Sequence, residues 1–159
     1  MEKNNLVNEA VKEIEVLEFR AGGNSYGINV SDIREILPYN TKPLPIPNAH
    51  PFIEGIIKPR DFLIPIINLT KTLKLDDATE RKSEMLIVTG INDLNIAFHV
   101  DSVRGIHRIM TDDIEKPGKK LTTSLKAAVS GIISLGDSKI EVLDFKKIIN
   151  EINPLVNVG

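Results

Sequence analysis

Glu35 and Arg60 are the residues best placed to do chemistry in this 159-residue chain. Each stands in an aliphatic run, the glutamate in "INVSDIREI" (28–36) and the arginine in "GIIKPRDFLIPIINL" (55–69). A charge among so much Ile and Leu is seldom buried without a partner. Opposite signs allow a bidentate carboxylate–guanidinium pair, and such a pair on a surface can anchor a binding partner. The three histidines, His50, His99 and His107, have neither H-x-x-x-H nor H-E-x-x-H spacing. His99 and His107 lie in strand-like runs, where a satisfied structural role is expected. The pairs Asp76–Asp77 and Asp112–Asp113 sit in charged stretches and are expected to be solvated loop. There is no Gly-rich phosphate loop, no G-x-S-x-G elbow and no cysteine. The expectation is a chain that is not an enzyme and takes no cofactor or metal.

Composition narrows the partners. Twenty basic against 22 acidic residues leave a net charge of −2, without the basic face that nucleic-acid readers carry. Stacking aromatics are few: five Phe, two Tyr and no Trp. An OB- or SH3-type ligand- or nucleic-acid-binding module is therefore the second reading, and no nucleic acid is expected as partner. The apolar runs are far shorter than the roughly 20 residues a membrane span needs, so no direct membrane insertion is expected. The segment "MEKNNLVNEAVKEIE" has no signal-type apolar core. Cytoplasmic residence follows as the default.

The elements that would hold Glu35 and Arg60 are short and β-type. Runs such as "EVLEF", "SYGINV", "EMLIV", "LNIAFHV" and "SKIEVLDF" are rich in Ile and Val and are separated by Gly, Asn, Asp and Ser. "GGN", "GIND" and "LGDS" are turn chemistry. Helical spacing is confined to the ends, over 3–13 and 144–152.

The chain also repeats itself. Gly55–Leu73 and Gly131–Ile149 align without a gap, with six of nineteen positions identical. "INVSDIREI" aligns with "FHVDSVRGI" (98–106). A period of 70–76 residues is too long for a solenoid. It fits one domain over 1–159 made of two β lobes of about five strands, one over about 14–73 and one over about 83–149. The link after the first kinked strand holds five prolines and should be extended and stiff. The second link, over 111–128, is charged and mostly loop.

Duplication supplies an internal control. Arg60 becomes Gly136 and Glu35 becomes Gly105 in the second copy, so both charges belong to the first copy alone. Asp61 recurs as Asp137, as a residue of the turn would. Glu35 and Arg60 are expected to pair, either as an ordinary surface salt bridge or as the anchor of a binding face. Pro65 aligns with Glu141, which argues against a fully enclosed central strand there.

"YGINVSDIREI", the proline-containing link and "GIIKPRDFLIPIINL" together resemble the CheW family of bacterial chemotaxis coupling proteins. "FHVDSVRGIHRI", "IEKP" and "SGIISLGDSKIEVLD" continue the match to about residue 149, and they look nearest to the CheW-like domain of CheV. One departure is Asp61, where the family has glycine after its arginine. The resemblance implies an all-β fold of two intertwined five-stranded SH3-like barrels. It implies a non-catalytic adaptor that couples the cytoplasmic tips of methyl-accepting chemoreceptors to the regulatory domain of the histidine kinase CheA, recruited to membrane-associated receptor arrays. By motif position, Ile33, Glu35, Ile36, Gly55 and Arg60 would serve receptor or kinase binding. Val103 and Ile106, as repeat mates, would contribute to an apolar groove between the lobes.

Overall fold

The computed structural model describes residues 10–75 and 83–152. Ten strands run in chain order: β1 (Glu13–Ala21), β2 (Asn24–Asn29), β3 (Ile33–Pro38), β4 (Ile53–Ile57), β5 (Ile64–Asn68), β6 (Met85–Ile91), β7 (Leu94–Val100), β8 (Ser102–Met110), β9 (Val129–Leu135) and β10 (Ser138–Leu143). Two short helices, α1 (Leu69–Thr72) and α2 (Phe145–Glu151), follow β5 and β10. Asn68 caps α1 through its side chain and Asp144 caps α2 in the same way, so the repeat extends to the caps. The helix expected over 3–13 falls mostly on residues outside those described. Its last described residues, 10–12, are not helical, and Glu13 opens β1.

The strands form two five-stranded sheets, ordered β8-β1-β2-β10-β9 and β3-β6-β7-β5-β4. Substituting β1–β5 for β6–β10 converts one order into the other, which is an approximate twofold relation between the copies. Each sheet draws on both copies. Residues 14–73 give β1 and β2 to one sheet and β3–β5 to the other. The contiguous ranges 14–73 and 83–149 are thus the repeat units, whereas the two SH3-like lobes are exchanged between them. Long-range pairing is the cause: β1 lies against β8, and β2 runs parallel to β10, as β7 does to β5.

Local chemistry explains the joints. Gly22 and Gly23 (φ 58° and 82°) turn β1 into β2, and Asn92 and Asp93 (φ 52° and 65°) turn β6 into β7. Positive φ at both central residues is what a two-residue hairpin with matching twist requires. Pairing register shifts between Ile33 and Glu35 in β3, leaving Arg34 as a bulge. The same shift in β8 leaves its repeat mate Arg104 unpaired. These bulges are the kinks of the third strand in each copy.

One core joins the sheets. Phe19, Tyr26 and Ile28 of one sheet meet Ile87, Phe98 and Val100 of the other, with Leu69, Phe145 and Ile148 from the helices. A smaller cluster fills each lobe, Val16, Ile109, Ile133 and Ile140 in one and Ile64, Ile66, Leu86 and Ala97 in the other. Glu141 departs from expectation. It is 7% exposed on an interior strand, where Oε2 accepts from the Thr122 N–H at 2.8 Å and Oε1 bonds the Thr122 hydroxyl at 2.9 Å. A carboxylate is tolerated there because the second link brings it donors. Pro65 sits opposite Ile56, one residue before the parallel ladder with β7 begins, so no donor is missed.

Candidate functional site

Glu35 and Arg60 meet. The Arg60 Nη2 lies against both carboxylate oxygens of Glu35, whose side chain is 23% exposed while that of Arg60 is 66% exposed. The hydrogen bond and charge of Glu35 push the Arg60 guanidinium still further above its ordinary range. The pair spans the outer strands of its sheet: Glu35 lies on β3, and Arg60 lies in the tip that joins β4 to β5.

That tip is built differently in the two copies. In the second, Leu135 pairs with Ser138 around Gly136 and Asp137. In the first, pairing stops at Ile57 and Ile64, and Lys58–Leu63 bulge outward. Pro59 occupies the position of Leu135 and has no N–H for the ladder. A 3-10 turn over Pro59–Asp61 takes its place, closed by the Phe62 N–H donating to the Pro59 carbonyl at 3.0 Å. Arg60 and Asp61 are both left-handed, at φ 51° and 68°. Gly136, the mate of Arg60, has φ 60°. The position calls for a left-handed residue in both copies. Glycine meets that need without steric cost and arginine does not.

Exposed apolar side chains flank the pair in sequence. Ile36 is 37% exposed beside Glu35, and Phe62 and Leu63 are 59% and 65% exposed beyond Arg60. Ile106, the mate of Ile36, is 56% exposed on β8 of the other sheet. Ile33 and Val103 are mates too, and both turn inward against the shared core. Gly55 is buried, at φ 149°; a Cβ there would lie 2.4 Å from the Leu44 carbonyl oxygen and 2.8 Å from the Pro43 Cβ. It lets the proline-rich link cross β4 and offers no contact surface of its own.

Between the sheets lies a cleft of about 470 Å³, lined on one side by Ile14, Asn29 and Phe145 and on the other by Thr89, Gly90 and Ile91. None of the seven residues expected to bind partners lines this cleft. Ile106 pairs opposite Leu17, on the same face of β8 as Val103 opposite Phe19, and stays exposed.

The histidines are all engaged. His50 Nδ1 accepts from the Phe52 N–H at 3.1 Å, and His107 Nε2 bonds Glu18 at 2.8 Å. His99 lies between Glu54 and Glu84, at 2.5 Å and 2.9 Å, under the ring of Tyr39. That quartet escapes a motif search because its members come from four elements. The repeat carries the only sequence signal for it: the mates of His99, Glu54, Glu84 and Tyr39 are Asn29, Ser130, Ile14 and Ile109. Asp112 and Asp113 are exposed in a 3-10 turn, and Asp76 and Asp77 lie outside the described residues. Among the described residues no group of three or more His, Cys, Asp or Glu could hold a metal.

A CheW-like domain model matches residues 15–153. The chain belongs to the CheW-like domain family. The CheW proteins of Thermotoga maritima and Treponema pallidum are 32% and 28% identical to it, over 91% and 92% of this chain and 93% and 89% of theirs. CheV3 of Helicobacter pylori is 29% identical over 89% of this chain and 49% of its own length; CheW is the nearer family and CheV a relative. The crystal structure of the scaffolding protein TtCheW from Thermoanaerobacter tengcongensis superposes with a TM-score of 0.79 at 26% identity, covering 87% of this chain and 93% of that one. As a CheW-like domain the chain is a non-catalytic chemotaxis adaptor, and the nucleic-acid reading is not favoured.

Proposed function

We propose that this adaptor joins the cytoplasmic tips of methyl-accepting chemoreceptors to the regulatory domain of a CheA-type histidine kinase, in the cytoplasm and within membrane-associated receptor arrays. Among the described residues no helix is long and apolar enough to cross a membrane. The observation that carries the site is the Glu35–Arg60 pair. It occurs in one copy only, at a left-handed backbone position where the other copy has Gly136. A fold that needs only glycine there retains arginine for something other than folding.

The tip around Arg60 adds exposed Phe62 and Leu63 to the polar anchor, a composition suited to an interface centre with an arginine in it. Ile36 is exposed on the opposite face of β3 from Glu35. Ile33 and Val103 support their strands from the core side, Gly55 sets the path of the link, and Ile106 presents the corresponding face of the second sheet. The cleft beside Ile14, Ile91 and Phe145 suits a receptor helix laid into a groove. Coupling then follows from geometry. Two partners held on one small rigid body see each other at high effective concentration, and a change in one alters the other without chemistry here.

Charge reversal tests the pair. Glu35→Arg and Arg60→Glu are each expected to weaken kinase-regulatory-domain or receptor-tip binding by roughly 10- to 30-fold, the scale of an interfacial arginine. The double swap should recover a substantial part of the loss. A double swap that recovers nothing would break the pairing, and binding to neither partner by the unaltered chain would sink the coupling role. Arg60→Gly separates function from folding. Relief of the left-handed backbone and the added freedom of glycine in the unfolded chain oppose each other. Its Tm should stay within about 3 °C of the parent while binding falls. A clear loss of Tm would make the pair a folding element.

A further inference from the structure

The quartet around His99 has no counterpart in the other lobe and no part in the coupling face. His99 Nδ1 stands 2.5 Å from Glu54 Oε2, and its Nε2 stands 2.9 Å from Glu84 Oε1. Tyr39 stacks on the imidazole with centroids 3.8 Å apart and donates its hydroxyl to Glu54 Oε1 at 2.6 Å. A neutral imidazole has one N–H and one lone pair. With a carboxylate at both nitrogens, the neutral ring would set that lone pair against an acceptor. Only the imidazolium satisfies both contacts.

The four residues lie on four segments. Tyr39 follows β3, Glu54 is on β4, Glu84 precedes β6 and His99 is on β7. β3 and β4 are the outer strands of their sheet, the same two edges that Glu35 and Arg60 span. In the other lobe the equivalent positions carry Ile109, Ser130, Ile14 and Asn29, none of which titrates. We propose that Tyr39, Glu54, Glu84 and His99 form a proton-dependent clasp that pins the start of the proline-rich link to β4 and β7. Loss of one ring proton from His99 opens the clasp and loosens the edge that carries Glu35 and Arg60.

The charges facing His99 are Glu54 and Glu84. β5 sets Asn68 beside it in register, and Lys71 of α1 adds a positive charge near Glu54. Burial alone would lower the His99 pKa, but the hydrogen bonds and charges of Glu54 and Glu84 outweigh it and raise the value above the ordinary 6.5. Burial pushes Glu54 up, and the bonds from His99 and Tyr39, with the charges of His99 and Lys71, hold it below its ordinary 4.5. The stability supplied by His99 is complete below about pH 6.5 and is lost as pH rises through its folded-state value. The part from Glu54 is complete above about pH 4.5 and is lost as pH falls through its own lowered value. The clasp is tightest between these limits and opens on the alkaline side.

A matched pair of backbone bridges reads it out. Leu44 and Ile56 exchange N–H···O bonds of 2.9 and 2.8 Å where the link meets β4, and Glu115 and Ile132 do the same at 2.8 Å in the lobe without the clasp. Amide hydrogen exchange on the free chain from pH 6 to 9, corrected for intrinsic rates, should show the protection of Leu44 and Ile56 falling at least tenfold relative to Glu115 and Ile132. Its midpoint should coincide with the His99 ring titration by NMR, above pH 6.5. His99→Asn, which copies Asn29, should abolish the pH dependence. The milder Glu84→Gln should move the midpoint to lower pH, and it carries the test if His99→Asn does not fold. A pH-independent ratio, a His99 titration at or below 6.5, or an unmoved midpoint in Glu84→Gln overturns the clasp. No partner is present, so the outcome is separate from that of the coupling role.

Discussion

Phe145→Ala is expected to lower the free energy of unfolding by about 3–5 kcal/mol in urea titrations, out of a total of about 5–15 for a domain of this kind. Phe145 opens α2 at 4% exposure, with its ring centroid 4.1 Å from Phe98 on β7 and 6.0 Å from Phe19 on β1. Those two strands belong to different sheets. Removing the ring therefore deletes a contact to each lobe at once, and little nearby can collapse into the hole because Tyr26, Ile28 and Leu69 are fully enclosed. Phe145→Leu should recover most of the loss. A cost below about 1 kcal/mol for the alanine variant would show that α2 does not unite the lobes.

Gly55→Ala is expected to destabilise by about 1–3 kcal/mol, and its repeat mate Gly131→Ala by less than 1. A Cβ on Gly55 runs into backbone, the Leu44 carbonyl oxygen at 2.4 Å, at φ 149°. A Cβ on Gly131 meets the Ile114 Cγ2 at 2.4 Å, with the nearest backbone atom 3.3 Å away. A methyl at the end of a side chain can swing aside, whereas the link carbonyl is held by its bond from the Ile56 N–H at 2.8 Å. Equal costs at the two sites, measured by thermal or urea unfolding, would refute the steric account. Gly55→Ala should also weaken partner binding indirectly, because the link it displaces leads from β3, where Glu35 lies.

The repeat was legible from residues alone, and so was much that follows from it. Turns at Gly22–Gly23 and Asn92–Asp93 rest on local chemistry that the side chains announce. The partnership of Glu35 and Arg60 was legible for another reason. Two opposite charges absent from the same copy are best explained by each other. By contrast, bulges at Arg34 and Arg104 put Ile36 on the same sheet face as Ile33 and Ile106 on the same face as Val103. Unbroken alternation would set each pair on opposite faces. A bulge shifts the alternation of faces by one residue, and no propensity of isoleucine records that.

The sequence by itself determined two similar β units, their turns, and a charge pair peculiar to the first. Each of these is set by residues within one segment or by comparing one copy with the other. Only the tertiary structure decided that β1 and β2 cross to the second copy's sheet, that Arg60 occupies a left-handed backbone site, and that Glu141 is buried on donors from the second link. It alone assembled His99 with Glu54, Glu84 and Tyr39. Those outcomes depend on which distant strands pair, and pairing is chosen by the fit of whole faces around a shared core rather than by any short run of residues.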